Sequence, residues 1–180
     1  MNLKKIILVL IGIFIILLGA TYGIKKYVFP YKYEEYVNKY SEMYDLDPLL
    51  VLSVIKTESN FAEQAESNKH AKGLMQIMDE TGAWAAKEVG IEYFMPNMLY
   101  SPEINIQLGC WYLDNLLDEF ENLSLALAAY NGGSGNVTKW LQDPEYSRDG
   151  EELQHIPFPE TKKYVDKVNT NYSVYKYLYR

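Results

Sequence analysis

A mainly α-helical protein is expected, with a globular helical body behind an N-terminal transmembrane helix. Three observations predict this. Residues 6–22 carry no charge, are rich in Ile and Leu, and are fenced by Lys4, Lys5, Lys25 and Lys26. Further along, apolar residues recur at helical spacing, as at Ile104, Leu108, Trp111, Tyr112 and Leu116. No stretch shows the period-two alternation of a half-buried strand.

The apolar run would span roughly 25 Å as a helix, a little short of a hydrocarbon core of about 30 Å. Leu3 and Ile24 extend it, and the flanking lysines can snorkel to the headgroups. The other reading is a signal peptide with Lys4 and Lys5 as its basic start. Leu18-Gly19-Ala20 and Ala20-Thr21-Tyr22 are both poor cleavage sites. The expected organisation is a membrane anchor or signal segment over residues 1–28 and one domain over 29–180. The body then sits on the extracytoplasmic side of a single-pass protein, or is secreted after cleavage. Lysines on both flanks leave the positive-inside rule silent.

Residues 1–26 carry four lysines and no acid, so the formal charge of −7 becomes −11 for the remainder. Such a body repels phosphate, and no nucleic-acid partner is expected. The seventeen tyrosines suit either core packing or a groove for sugar rings, and their number does not decide between them. Cys110 is the only cysteine, so no intrachain disulfide can form, and it reads as a small core residue. His70, His155 and one cysteine make no metal-ligand cluster. Neither metal nor cofactor is expected.

The elements follow in order. Tyr31 to Tyr44 reads as helix. Asp47 is an N-cap with Pro48 in the first helical position. Leu49 to Lys56 is apolar on most faces, the pattern of a buried helix, and runs out near residues 58–60. Residues 62–72 are small and polar, a loop. Gly73 to Met78 leads into a helix near Glu80–Val89, ended by Gly90. Residues 91–100 connect to a helix opened by Ser101-Pro102 in the style of Asp47-Pro48. Leu123 to Tyr130 is a short apolar helix broken by Asn131-Gly132-Gly133-Ser134-Gly135. Val137 to Leu141 makes a turn of helix, residues 143–155 form a polar surface loop, and Pro157 and Pro159 bring in a last helix to about Tyr179.

Chemistry concentrates in four segments. Glu58 lies at the C-terminal end of the buried helix. There the macrodipole and apolar neighbours both oppose a negative charge, which raises a carboxyl pKa as a general acid requires. Gly73-Leu74-Met75-Gln76 follows, with Leu74 and Met75 as core. The Gln76 amide is half-buried and in need of partners, free to bind a sugar hydroxyl or to bridge two loops. Ala129-Tyr130-Asn131-Gly132-Gly133 lines a cleft, or is simply a helix C-cap with Asn131 or Gly132 left-handed. In Pro159-Glu160-Thr161, Glu160 lies four residues before Tyr164, on the same helix face. Glu63 and Glu66 lie in the polar loop and read as solvated.

In this order and spacing, from about Tyr40 to Val168, these segments resemble the soluble lytic transglycosylase family, lysozyme-like relatives of goose-type lysozymes that cut bacterial cell-wall glycan. The resemblance implies a lysozyme-like helical domain. It implies Glu58 as the single catalytic acid/base. Ser67, Met75, Gln76, Tyr130, Asn131 and Tyr164 are implied as residues that hold substrate or support the reaction centre. Its implied partner is the glycan strand of peptidoglycan, beside the membrane reached by the N-terminal helix. One departure stands out: the family usually has glycine where this chain has His70. The implied reaction cleaves the β-1,4 bond between N-acetylmuramic acid and N-acetylglucosamine and leaves 1,6-anhydromuramic ends. Ordinary glycosidases use two carboxylates, and only Glu58 has a motif around it here. The alternatives are a hydrolytic goose-type lysozyme and a non-catalytic binder of wall glycan.

Overall fold

The computed structural model describes residues 3–180. The chain divides into two units, one ending at Lys32 and one running from Tyr33 to Arg180. In the first, helix α1 spans Leu3–Gly23 and widens into a π-helical turn over Ile24–Val28. By length and composition, Lys4–Val28 is able to cross a membrane. Its Leu8, Phe14, Ile16 and Leu18 side chains are exposed, so this is not the core helix of a soluble unit.

The second unit is helical throughout. Helix α2 covers Glu34–Met43 and α3 covers Pro48–Glu58. The Asp47 carboxylate accepts from the Leu49 N–H at 2.9 Å, and Pro48 starts the helix as the sequence predicts. Every residue from Leu49 to Ile55 is buried, which explains why this stretch has no polar face. Helix α4 is Asp79–Glu88, α5 Pro102–Phe120, α6 Leu123–Gly132, α7 Ser134–Gln142 and α8 Pro159–Tyr179. Helix α3 packs along α8, and α6 lies among α5, α7 and α8. Ala126, Ala128 and Ala129 are all fully buried, and their small side chains let α6 lie close to its neighbours.

Several expectations are corrected. The break after α6 does not fall at Asn131 or Gly132, which both stay helical. Gly133, at φ 88°, turns the chain. Gly132 serves packing instead: a Cβ there would lie 3.1 Å from the Thr161 hydroxyl, so its lack of a side chain lets α6 meet α8. The expected turn at 137–141 is a full helix, because Val137 and Trp140 are buried. The connection at 91–100 contains a 3₁₀ turn, Pro96–Tyr100. Ser101 precedes α5 without a side-chain cap bond, unlike Asp47. Among the described residues there is no strand, only single bridges from Lys72 to Glu66 and to Ile77.

Candidate active site

Glu58 is the last residue of α3. The next residue, Ser59, fixes the geometry around it. Its hydroxyl lies 3.2 Å from the Ile55 carbonyl and donates to the Leu74 carbonyl at 2.8 Å, and its oxygen accepts from the Phe61 N–H. The end of α3 is thereby tied to the Gly73–Gln76 segment, fifteen residues on. The chain leaves through Asn60 and Phe61, both at positive φ.

That segment is held from the other side by Asn105 in α5, which is wholly buried. Its Oδ1 accepts from the Met75 N–H at 2.7 Å, and its Nδ2 donates to the carbonyls of Lys72 at 2.9 Å and Leu99 at 2.8 Å. With these bonds the amide is satisfied and the turn is clamped. Gly73 sits at φ 76°, and a Cβ there would come closer than 3.0 Å to the Leu99 carbonyl and the Asn105 side chain. Asn105 was missed in the sequence. The available signal was an amide between Ile104 and Ile106 on an otherwise apolar helix.

Gln76 follows at φ 50°. Its Nε2 donates to the carbonyls of Ala65 at 3.1 Å and Gly73 at 2.9 Å, so the amide nitrogen bridges two loops while the side chain borders the groove. Met75 is corrected. It is fully buried, and its side chain packs against Gly109 of α5, so it does not line the cleft. Its carbonyl instead accepts from the Tyr130 hydroxyl at 2.9 Å and sets that ring in place.

A hollow of about 370 Å³ opens at Glu58, bordered by Ser67, Lys69, Gln76, Tyr130, Asn131 and Glu160. A second, adjoining hollow runs past Met78, Thr81 and Tyr112. A third lies between Asn136, Phe158 and Glu160. Sequence reasoning missed Tyr112 and Glu160 as lining residues. Another hollow of equal volume, near His155 and Asp166, shares no lining residue with the one at Glu58. The rings form a row behind the groove. Tyr112 and Tyr130 are 5.2 Å apart, and Tyr130 stacks parallel to Tyr164 at 6.5 Å.

Glu58 keeps one face open to the hollow, and protein surrounds it elsewhere. Burial pushes its carboxyl up to about 7 from an ordinary 4.5, against weaker opposing pulls from the Tyr164 hydroxyl and the Lys167 ammonium. Tyr164 does not line the hollow. Its buried hydroxyl is close enough to steady a Glu58 carboxylate yet forms no well-aligned hydrogen bond. Burial and the nearby Glu58 raise both Tyr130 and Tyr164 far above their ordinary values, so each stays a neutral phenol. Ser67 accepts from the Lys69 and Ala71 N–H groups, which orders the loop and leaves its own proton to donate. Glu63 and Glu66 are exposed as expected. Glu63 accepts from Tyr33, and Glu66 from Tyr100 and His70.

His70 adopts φ 61°, a left-handed conformation that glycine takes without strain. The departure from the family's usual glycine therefore sits at a position where glycine suits the backbone. The bond from its ring to Glu66 at 2.8 Å helps hold that turn.

Fold and site together define a lysozyme-like helical domain with one buried acid on an aromatic-walled groove. The transglycosylase SLT domain family matches residues 35–153, and the chain belongs to that family. It is 34% identical over 143 residues to the soluble lytic murein transglycosylase of Salmonella typhimurium, covering 78% of this chain and 22% of that protein. It is 30% identical to the membrane-bound lytic murein transglycosylase C of Edwardsiella ictaluri, covering 81% and 47%. The 70 kDa soluble lytic transglycosylase of Escherichia coli has the same fold, with TM-score 0.73, 30% identity, and coverage of 83% of this chain and 25% of that one. An inactive glutamate-to-glutamine mutant of the lytic transglycosylase Slt from Pseudomonas aeruginosa superposes with TM-score 0.72, at 30% identity and 83% and 24% coverage. This chain thus spans between 22% and 47% of the length of these relatives.

Proposed function

We propose that this protein is a peptidoglycan lytic transglycosylase whose single acid/base is Glu58. The observation that carries the reading is a carboxyl group pushed up to about 7 by burial while one face remains open to the groove. Such a group is substantially protonated at neutral pH and still accessible to substrate. The names of the relatives support the reaction class, and the inactive glutamine mutant of the Pseudomonas enzyme supports a glutamate at its centre.

In the first half of the reaction, protonated Glu58 gives its proton to the glycosidic oxygen as the bond from muramyl C1 to that oxygen breaks. The substrate's own N-acetyl oxygen stabilises C1. In the second half, the Glu58 carboxylate takes the proton of the muramyl C6 hydroxyl, and O6 closes on C1. The proton lost by Glu58 is regained, and no water is consumed. Tyr164 steadies the carboxylate between the two halves. Tyr130, Asn131, Ser67 and Gln76 present the groove face to the sugars, and Met75 acts as a positioning residue through its carbonyl. Residues 1–28 serve as the anchor and residues 29–180 as the catalytic domain, held at the membrane on the cell-wall side.

Mass spectrometry of peptidoglycan sacculi digested with the protein tests the reaction. We expect 1,6-anhydromuramic ends. Reducing muramic ends would make the protein a hydrolytic lysozyme, and an absence of released fragments would make it a binder.

A further inference from the structure

Three hollows share two lining residues. Lys69 borders the hollow at Glu58, the one running past Thr81 and Tyr112, and the one between Asn136, Phe158 and Glu160. Asn131 is the other residue that borders all three. Lys69 is the sole basic residue in these linings, and its ammonium forms no ion pair among the described residues. Its backbone is fixed, since the Lys69 N–H donates to the Ser67 hydroxyl oxygen at 3.2 Å.

A linear neutral glycan passing the acid needs two arms, one on each side of the bond to be broken. A third arm suits a substituent that branches from the strand. In peptidoglycan the branch leaves C3 of the muramyl sugar as a lactyl group, and it carries carboxylate either there or on the peptide attached to it. Charge points the same way. The domain carries a strong negative charge and repels an acidic strand as a whole, so a lone cation at the junction supplies the local attraction. Glu160 borders two of the same hollows and repels a carboxylate from its own edge, which leaves the Lys69 side as the place for one.

We propose that Lys69 reads the acidic substituent of the substrate: its ammonium receives a carboxylate on the C3 branch of a muramyl sugar. This rests on the reading of the groove as a peptidoglycan site. It makes the protein selective for muramyl strands over neutral N-acetylglucosamine chains.

The test uses the full chain in detergent micelles carrying Glu58→Gln, so that ligand is bound and not cleaved. Affinity is measured for three tetrasaccharides: all N-acetylglucosamine, alternating with muramic acid bearing the free lactyl acid, and the same bearing stem peptide. We expect an acidic ligand to bind about three- to fivefold more tightly than the neutral one, the scale of one exposed ion pair. The preference should shrink as salt is raised. Adding Lys69→Met should remove the preference and change neutral binding less than twofold, while Lys69→Arg should restore it. Preference for the free lactyl arm or for the peptide arm identifies which carboxylate is held. A Lys69→Met change that weakens all three ligands equally, or none, overturns the inference and leaves the proposed function standing. Failure of every tetrasaccharide to bind overturns both.

Discussion

Glu58→Gln should lower glycan release at least about 10³-fold while the fold survives, because general acid–base catalysis contributes about 10²–10⁴ and in the proposed reaction one side chain serves both halves. The amide keeps the size of the carboxyl and its place at the end of α3, but it has no proton to give and does not accept one. Circular dichroism should be unchanged, and thermal stability should shift in a pH-dependent way whose sign is fixed. The folded carboxyl titrates near 7 and an ordinary one near 4.5. Between those values the folded chain holds a proton that the unfolded chain has released, so wild-type stability is full below about 4.5 and is lost as pH rises through 7. The glutamine variant has no such loss. Its advantage over wild type should be absent in acid and reach about 3 kcal/mol above neutrality. Near-wild-type glycan release by the variant would remove Glu58 from the reaction.

Gly73→Ala should destabilise the domain by more than about 4 kcal/mol. The residue's φ of 76° costs a side chain about 1–2 kcal/mol by itself. The added Cβ would also press on the Leu99 carbonyl and on buried Asn105. Backing Asn105 away loosens its three bonds, each contributing about 1 kcal/mol and costing more when a buried partner is left alone. Gly90→Ala is the internal control. Its φ is 78°, but nothing lies within 4 Å of the added carbon, so it should cost only the backbone penalty of about 1–2 kcal/mol. Melting curves of the two variants separate conformational strain from steric conflict. Equal losses would mean that the clamp on the Gly73–Gln76 turn is not tight. Below its melting point the Gly73 variant should also lose activity, since Gln76 and the Met75 carbonyl that holds Tyr130 both ride on this turn.

Much of the fold was legible because local rules and tertiary needs agree in it. Asp47-Pro48 is both a cap and a helix start in the sequence and in space. The run after it, apolar on most faces, predicts burial on most sides, and Leu49 to Ile55 are all buried. Glu58 was legible for the same reason: position on a buried helix and the resulting push on its carboxyl are both consequences of chain order. Gly132 was misread because glycine has two uses, turning a chain and letting helices touch, and only the approach of Thr161 distinguishes them. Met75 reads as core from the residues alone, and only the family resemblance implies a place for it at the groove. Backbone direction at the clamped turn sends its side chain to Gly109 instead. The roles of Asn105, Lys69 and Tyr112 depend on partners far along the chain, which periodicity does not reveal.

The central claim is that Glu58 holds its proton near neutrality while facing the groove. Carbon-13 NMR of the labelled glutamate side-chain carboxyls, with the Glu58→Gln protein to assign the signal, measures this directly. A Glu58 midpoint near 7 is the predicted result. A midpoint in the ordinary range near 4.5 would leave the group ionised when substrate arrives, and would contradict the account.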